Sequence, residues 1–300
     1  MAALLTKVKA RMSIHAHRRT RGLLEGEYAS VFHGHSMDFD DLREYVPGDE
    51  IRDIDWKATA RHTTPLVKRY VAHRRHALAI VTDTGIGLDA VSASGEPKRE
   101  VAIMLAGMAG YLAVRHGDDV MLVDGWGQHT RHSEKKGTEA HLEQLLRRIQ
   151  SAQAPAGFPA DRSSDIGVRL QWVAEHLRKR MLVIVLADDA PLDRLDPRLL
   201  RRLDVQHELM WMTIADADLE SFSRGTDSPF DIVDPTGTGL PPEILRGAGL
   251  WEEYRAAEAR RIAANEEVLR TAGIPFTRVA GTDDSLEQLR RLMRRQHGGR

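Results

Sequence analysis

Short runs of aliphatic and β-branched residues alternate along most of the chain with longer segments whose apolar positions recur at helical spacing. The short runs predict strands at residues 77–83, 119–123, 182–187, 208–214 and 276–280. The longer segments predict helices at residues 98–115, 138–149, 165–179, 197–203, 285–295 and within 243–272. Asp196 stands at an expected N-cap, and Gly117 and Gly273 stand at expected helix ends. This alternation predicts an α/β fold, with a mostly parallel sheet and helices on both faces.

The first 76 residues do not follow this alternation. They predict an N-terminal extension, residues 1–76, attached to an α/β domain of residues 77–300. Within the extension, Leu4, Leu5 and Val8 predict a lead-in helix that packs on the domain, and residues 66–71 predict an additional strand near the edge of the sheet. Residues 216–242 are rich in Asp, Ser, Gly and Pro and predict a long surface connection.

Bulk composition narrows the classes of function. Lysine and arginine number 43 against 44 aspartate and glutamate residues, so the charge balance does not favour a nucleic-acid partner. The chain has no cysteine, which excludes disulfides, thiolate catalysis and zinc–thiolate sites and suits a reducing cytoplasm. No apolar run reaches the ~18 to 20 residues that cross a bilayer. These features predict a cytoplasmic protein without a transmembrane segment.

The most informative segment, residues 42–56, places acidic and basic residues around Pro47-Gly48 and closes on Trp56. Proline followed by glycine suits the two central positions of a type II turn. Asp49 then stands at the N-cap position of a helix that continues through residues 57–61, with Ile54 on its apolar face. The segment therefore predicts a rigid turn and helix whose apolar face is docked and whose charges stay at the surface.

Residues 26–61 resemble the signature of the domain-of-unknown-function 58 family, R-E-Y-x-x-G-D-x-x-R-x-I-D-W with an alanine–arginine ending. The matching positions are Phe39, Arg43, Glu44, Tyr45, Gly48, Asp49, Arg52, Ile54, Asp55, Trp56, Ala60 and Arg61. The resemblance implies a von Willebrand factor A-like fold and a non-catalytic adaptor or co-chaperone. Such an adaptor would work with a MoxR-type AAA+ ATPase on an unknown client protein. The candidate docking residues are Arg43, Glu44, Asp49, Arg52, Asp55, Trp56 and Arg61.

The same resemblance implies where a metal-ion-dependent adhesion site would lie. Its pattern D-x-S-x-S falls on Asp83, Gly85 and Gly87, so glycine replaces both serines. Ser164 matches the later hydroxyl position, and Asp188 matches the aspartate that follows a later strand. Because Mg²⁺ needs oxygen ligands and sheds its waters reluctantly, the loss of two hydroxyls predicts a degenerate site. Asp83, Ser164 and Asp188 are its candidate ligands, with Mg²⁺ left open as a cofactor.

A different class, a metal-dependent hydrolytic enzyme, remains an alternative on the residues alone. Asp53, Asp55 and near pairs of histidines such as His33/His35 would serve it, although no pair has further ligands at metal-site spacing. Ser36 lies in G-H-S-M-D, which lacks the last glycine of a nucleophile elbow. No phosphate-binding loop pattern occurs, so ATP hydrolysis by this chain is not expected. A nucleic-acid-binding module would rest only on the basic first 24 residues.

Overall fold

A computed structural model describes residues 3–15, 28, 42–46, 54–61, 64–68, 76–152, 163–218 and 248–298. The strands in these ranges are β1 Leu42–Glu44, β2 Leu66–Lys68, β3 Ala77–Asp83, β4 Asp119–Trp126, β5 His129–His132, β6 Leu182–Ala187, β7 Glu208–Ile214 and β8 Phe276–Val279. The helices are α1 Leu4–His15, α2 Trp56–Thr59, α3 Lys98–Arg115, α4 Glu139–Ser151, α5 Ile166–His176, α6 Pro197–Gln206, α7 Ala248–Thr271 and α8 Ser285–Gly298. A 3₁₀ turn spans Ile86–Asp89.

The centre of the fold is a six-stranded, mostly parallel sheet in the order β5-β4-β3-β6-β7-β8. Strands β4, β3, β6, β7 and β8 run parallel, and β5 pairs antiparallel with β4. The predicted α/β class and its mostly parallel sheet are confirmed. Strand β4 continues beyond the predicted end at Val123 to Trp126. The edge strand β5 was not predicted, because its four residues have no apolar alternation to mark them.

Alternate residues of the central strands enter two separate cores, one on each face of the sheet. Leu78 and Ile80 pack in the cluster that contains residues of α1, α3, α4 and α8. Ala79 and Val81 pack in the cluster that contains residues of α5, α6 and α7. Burial on both faces explains why these strands are almost continuously apolar. Helices on both faces of the sheet are therefore confirmed.

Helix α1 belongs to the first of these cores. Leu4, Leu5 and Val8 are buried, as the lead-in helix prediction required. The backbone N–H groups of Leu4 and Leu5, in the first turn of the helix, donate to the two carboxylate oxygens of Glu143 in α4, at 3.1 and 2.8 Å. A carboxylate at a helix N-terminus satisfies otherwise unpaired donors and complements the helix dipole. The start of the predicted extension is thus held on the α/β core.

Helix ends follow the local sequence closely. Asp165 and Asp196 cap α5 and α6 through side-chain hydrogen bonds to backbone N–H groups, at 3.0 and 2.8 Å. Gly117 and Gly273 lie just past the ends of α3 and α7 with positive φ, which glycine adopts without strain. The cap predicted at Asp196 and both predicted glycine ends are confirmed.

The signature unit, formed by β1, α2 and β2, departs from the sequence predictions in two ways. Strand β2 pairs antiparallel with β1 in a separate two-stranded sheet, so the prediction that residues 66–71 pair near the edge of the main sheet is wrong. Ile54 forms a β-bridge with Val67, so residue 54 lies in extended backbone and not on a helix. Helix α2 begins only at Trp56.

The N-cap of α2 is Asp55. Its Oδ1 accepts a hydrogen bond from the backbone N–H of Ala58 at 3.0 Å, and its carbonyl accepts from the N–H of Thr59 at 2.8 Å. The prediction that the helix runs on from a cap at Asp49 is therefore wrong, because an extended Ile54 separates that position from α2. Asp49 itself and the Pro47-Gly48 turn lie outside the described residues, as does most of the connection predicted at residues 216–242.

Candidate functional site

The three residues predicted for the degenerate site come together at the carboxyl ends of the central strands. Asp83 ends β3, Asp188 follows β6, and Ser164 lies two residues before the start of α5. The Oγ of Ser164 accepts a hydrogen bond from the backbone N–H of Gly87 at 2.9 Å. Asp83, Gly87, Ser164 and Asp188 therefore share one place, which we call the crevice. This is the edge of an open α/β sheet at which ligand sites usually form.

Asp83 connects two loops of the crevice. Its Oδ1 accepts a hydrogen bond from the N–H of Gly85 at 2.7 Å, and its Oδ2 accepts from the N–H of Asp165 at 2.8 Å. Burial raises the pKa of the Asp83 carboxyl to about 6, against the opposing effect of these two donors and of Arg169. The side chain thus acts as a buried brace between the loop after β3 and the start of α5.

Gly87 is the position at which the carboxylate of Asp188 packs. A Cβ atom added at residue 87 would overlap the Asp188 carboxylate and lie 2.9 Å from the Oγ of Ser164. Glycine is required here by close approach and not by φ, because the backbone of residue 87 is not left-handed. Burial raises the pKa of Asp188, while Lys98 acts in the opposite direction. The carboxylate occupies the space of the serine that the resembled pattern would have.

Arg169, which the sequence analysis did not single out, supplies a cation beside Asp83. Its side chain is 0% exposed, and its Nη1 lies 3.7 Å from the Oδ2 of Asp83. Its Nη2 donates to the carbonyl of Gly127. A signal was present in the sequence: Arg169 lies three residues after Ile166 and four before Val173, on the apolar face of α5. A charged residue at such a position calls for a buried partner.

These residues do not fit a Mg²⁺ adhesion site. Asp83, Ser164 and Asp188 bring two carboxylates and one hydroxyl, and the hydroxyl already accepts the N–H of Gly87. A serine at residue 87 would overlap the carboxylate of Asp188, so the second hydroxyl of the pattern has no room here. The guanidinium of Arg169 already places a positive charge close to Asp83. The crevice is organised by protein groups.

A second group of carboxylates, from Asp189, Asp216 and Glu258, lies near the crevice with oxygens within 4.8 Å of one another. Arg261 lies among them, with Nη1 3.4 Å from Asp189 and Nη2 3.3 Å from Asp216. The cations paired with the group are Lys98, Arg261 and Arg278. Lys98 was a sequence signal, since a lysine in the first turn opposes the helix dipole of α3. The group is an ion-pair network that connects α3, α7 and β8 with the residues that follow β6 and β7.

Beside the crevice lies a groove of about 1010 Å³, between the start of α5 and the connection from β6 to α6. Ser164 and Asp188 form the part of its lining that it shares with the crevice. Apolar lining comes from Ile166 and Trp172 of α5 and from Leu192 beyond β6. The size and mixed lining are those of a surface that can receive a peptide or a small molecule.

The signature unit presents an exposed aromatic residue. Trp56, the first residue of α2, is 63% exposed, and Asp55 holds the start of that helix. Glu44 accepts a hydrogen bond from the Oγ1 of Thr64 at 3.3 Å across the unit. The remaining candidates are Arg43 in β1, Arg61 after α2, and Asp49 and Arg52, which lie outside the described residues. A large exposed aromatic is the kind of side chain that anchors protein interfaces.

Two residues considered for an enzyme, Asp55 and His132 of the near pair His129/His132, are engaged in other contacts. Asp55 caps α2. His132 stacks on Trp172 with ring centroids 4.7 Å apart. Asp53, Ser36 and the pair His33/His35 lie outside the described residues.

A model of the family described as "Protein of unknown function DUF58" matches residues 41–236, about two thirds of the chain. The chain belongs to this family. Membership of this family, predicted from residues 26–61, is therefore confirmed, and the match includes residues 41–61 of that segment. Among relatives, Uncharacterized protein Rv1480 of Mycobacterium tuberculosis and Uncharacterized protein Mb1516 of Mycobacterium bovis are each 26% identical over 283 residues. The alignment covers 93% of this DUF58 chain and 85% of each relative.

Two solved structures resemble this DUF58 protein distantly. The pilus adhesin SpaC from Lactobacillus rhamnosus GG gives a TM-score of 0.39 at 9% identity, over 75% of this chain and 30% of that one. The PilB minor pilin from Streptococcus sanguinis gives 0.37 at 8% identity, over 78% and 64%. Among the described residues, none of the helices combines the length and apolar character that crossing a bilayer requires.

Proposed function

We propose that this DUF58 protein is a non-catalytic, protein-binding adaptor or co-chaperone that works with a MoxR-type AAA+ ATPase on a client protein. In this proposal the α/β domain is of the von Willebrand A type and its adhesion site is degenerate. The ATPase supplies the energy, and this chain binds and presents the client. The proposal includes a cytoplasmic location, which the absence of cysteine supports.

The observation that carries the proposal is the packing of the Asp188 carboxylate on Gly87. Through this packing, the residues at the positions of a metal-binding pattern contact one another and form a surface without a metal. Asp83 connects the adjoining loops through its hydrogen bonds to the N–H groups of Gly85 and Asp165. A rigid surface beside a groove is suited to binding, because a partner then meets a preformed shape and little ordering is needed. The class of partner, an AAA+ ATPase, comes from the family resemblance.

Trp56 is the candidate anchor for the ATPase. It lies in the family signature, it is mostly exposed, and α2 is fixed at that end by Asp55. Exposed tryptophans held on rigid elements dominate the affinity of many protein interfaces. The remaining charges of the signature would then contribute mainly orientation and association rate.

The test is affinity capture of the tagged, full-length chain from an extract of its own cells with ATP and Mg²⁺ present. We compare the wild type with Trp56→Ala and with Val205→Ala, a matched control at an apolar residue of α6 that is 76% exposed. We expect a MoxR-type ATPase to be recovered with the wild type and the control, and its recovery to fall with Trp56→Ala. Failure to recover the ATPase with the wild type would overturn the proposed function. Equal recovery with all three proteins would remove Trp56 from the docking surface.

A further inference from the structure

The groove beside the crevice carries an excess of negative charge on its lining. Exposed carboxylates come from both walls, Glu175 on α5 and Asp193 on the connection from β6 to α6. Asp165 and Asp196 also line it, but each caps a helix, and the helix N-terminus offsets part of its charge. Arg194 is the basic residue of this lining. Glu175, which also accepts a hydrogen bond from the side chain of Gln171, and Asp193 are therefore the exposed acids of the lining that cap no helix.

The groove also has an apolar component that can hold a side chain. Trp172 lies partly exposed on α5, and its ring stacks with His132 and with His176. Leu192 and Leu199 line the opposite wall. Apolar side chains with a few charged groups around them are the usual composition of a peptide-binding groove. Affinity would come from the apolar contacts, and the sign of the charge would select the partner.

Because the crevice residues do not fit a metal ion, the charge of the protein groups determines which charge a partner should carry. A divalent metal would offer a positive charge to a partner's carboxylate. In this crevice the cation beside Asp83 is Arg169, which is fully buried and out of a partner's reach. The accessible charges of the groove are the half-buried Asp188, the exposed acids and one exposed cation, Arg194, so negative charge prevails. Electrostatic complementarity therefore favours a positively charged partner.

We propose that this groove binds a protein segment that carries lysine or arginine next to apolar side chains. The proposal rests on the proposed function and specifies the chemistry of the protein partner that the adaptor recognises there. The basic side chains would lie against Glu175 and Asp193, and the apolar ones would contact Trp172 and Leu199. Because the charged contacts are exposed, binding would weaken as salt increases.

The probes are short, fluorescein-labelled synthetic peptides in three matched versions of one length: lysine with leucine, glutamate with leucine, and lysine with serine. Fluorescence anisotropy with the full-length protein measures the affinity of each. We expect the lysine–leucine peptide to bind at least about tenfold more tightly than either of the others. Equal or tighter binding of the glutamate–leucine peptide would overturn the proposal. If the lysine–serine peptide binds as tightly as the lysine–leucine peptide, the apolar contacts do not contribute to affinity, and the proposal is also contradicted.

Variants test whether the peptide binds in this groove. The double variant Glu175→Lys/Asp193→Lys reverses the charge on both walls, and Glu100→Lys is the matched control on α3, in the other helical layer. We expect the double variant to weaken lysine–leucine binding by about tenfold or more and the control to leave it unchanged. An equal effect of both, or of neither, would overturn the assignment to this groove. Thermal unfolding of each variant verifies that it is folded.

A second copy of this chain is the other occupant to consider. Sedimentation of the wild type over a range of concentrations detects self-association, and a dimer abolished by Glu175→Lys/Asp193→Lys would overturn the proposal of a basic partner segment.

The peptide experiment and the ATPase capture test the groove proposal and the adaptor function separately. If the ATPase is captured but no peptide binds, the groove proposal is wrong and the adaptor function stands. If the peptide binds but no ATPase is captured, the groove stands and the adaptor function is wrong.

Discussion

The carboxylate of Asp188 lies directly on Gly87, in the space where any other residue would have its side chain. Ser164 reaches the same glycine from the other side through its hydrogen bond to the N–H. The glycine is thus part of a packed arrangement and not merely a position that has lost a serine. The sequence alone is compatible with two interpretations of the crevice, an empty metal site and a surface held together by protein contacts. The packing of Asp188 on Gly87 favours the second.

Gly87→Ser is expected to destabilise the protein and not to create a metal site. The new side chain would overlap Asp188, and overpacking of this kind costs about 1–3 kcal/mol. Urea unfolding measures the loss, and thermal unfolding with added Mg²⁺ measures any metal binding. A rise in the melting temperature of Gly87→Ser on addition of Mg²⁺ would show that the crevice can still form a metal site.

Gly249→Ser is the matched control for that experiment. A Cβ at residue 249 has no neighbour within 4 Å, so serine there should be neutral or slightly stabilising in α7. The double variant Gly87→Ser/Asp188→Ala should regain part of the lost stability, because removing the carboxylate opens the space. If the double variant is as unstable as the sum of its single changes, Asp188 is not the residue that excludes a side chain at position 87.

Arg169→Met is expected to be strongly destabilising. It would leave Asp83 buried without its cation, and removing one partner of a buried ion pair typically costs about 3–5 kcal/mol. Arg178→Met, at an exposed arginine just beyond the same helix, is the control and should change stability by no more than about 0.5 kcal/mol. Denaturant unfolding checks both. A small effect at Arg169 would mean that Asp83 does not depend on this cation.

Opposing pH effects are expected from Asp83 and His207. Burial raises the pKa of Asp83 from 3.8 to about 6, so this group binds a proton more readily in the folded state. Its contribution to stability therefore falls as pH rises through that window, by about 3 kcal/mol. Burial lowers the pKa of His207 from 6.5 to about 4, so its contribution rises with pH between those values by a similar amount, about 3 kcal/mol.

The two contributions can be separated by variants. Asp83→Asn should make stability rise more steeply with pH than in the wild type, and His207→Gln should make it fall more steeply. The free energy of unfolding, measured in urea at several pH values across this window, gives the slopes. Parallel profiles for wild type and Asp83→Asn would contradict the raised pKa, and parallel profiles for wild type and His207→Gln would contradict the lowered one.

Asp55→Ala is expected to weaken the signature unit by about 1 kcal/mol, the usual effect of removing an N-cap carboxylate. Asp55→Asn keeps an oxygen for the N–H of Ala58 and should retain most of the stability. Hydrogen exchange of the backbone N–H of Ala58 reports the local change. Equal protection in all three proteins would mean that the cap does not stabilise α2.

Much of the central fold could be predicted because local and tertiary preferences agree there. Strands such as Leu182–Ala187 are continuously apolar, and helices such as Pro197–Gln206 carry their own cap. The edge strand His129–His132 could not be predicted, since it exists through pairing with β4 and not through an apolar pattern. The cap expected at Asp49 is wrong because spacing alone does not reveal the β-bridge of Ile54 with Val67, after which the helix begins.

The residues of the crevice could be predicted, but the contacts between them could not. The family resemblance implied Asp83, Ser164 and Asp188 as members of the site, and residues that follow the carboxyl ends of parallel strands are expected at one edge of the sheet. That Asp188 would pack on Gly87 depends on the register of β3 and β6, which the spacing of residues along the chain does not determine. The ion pairs of the network around Asp189 likewise connect residues far apart in the chain, so spacing carried no sign of them.

Direct binding between two purified proteins is the measurement that tests the adaptor function most directly. The full-length chain is mixed with a purified MoxR-type ATPase from the same cells, with ATP and Mg²⁺ present, and the mixture is followed by sedimentation velocity. We predict a complex that forms with the wild type and Val205→Ala and is weakened by Trp56→Ala. Separate sedimentation of the two wild-type proteins at every concentration would contradict the adaptor function.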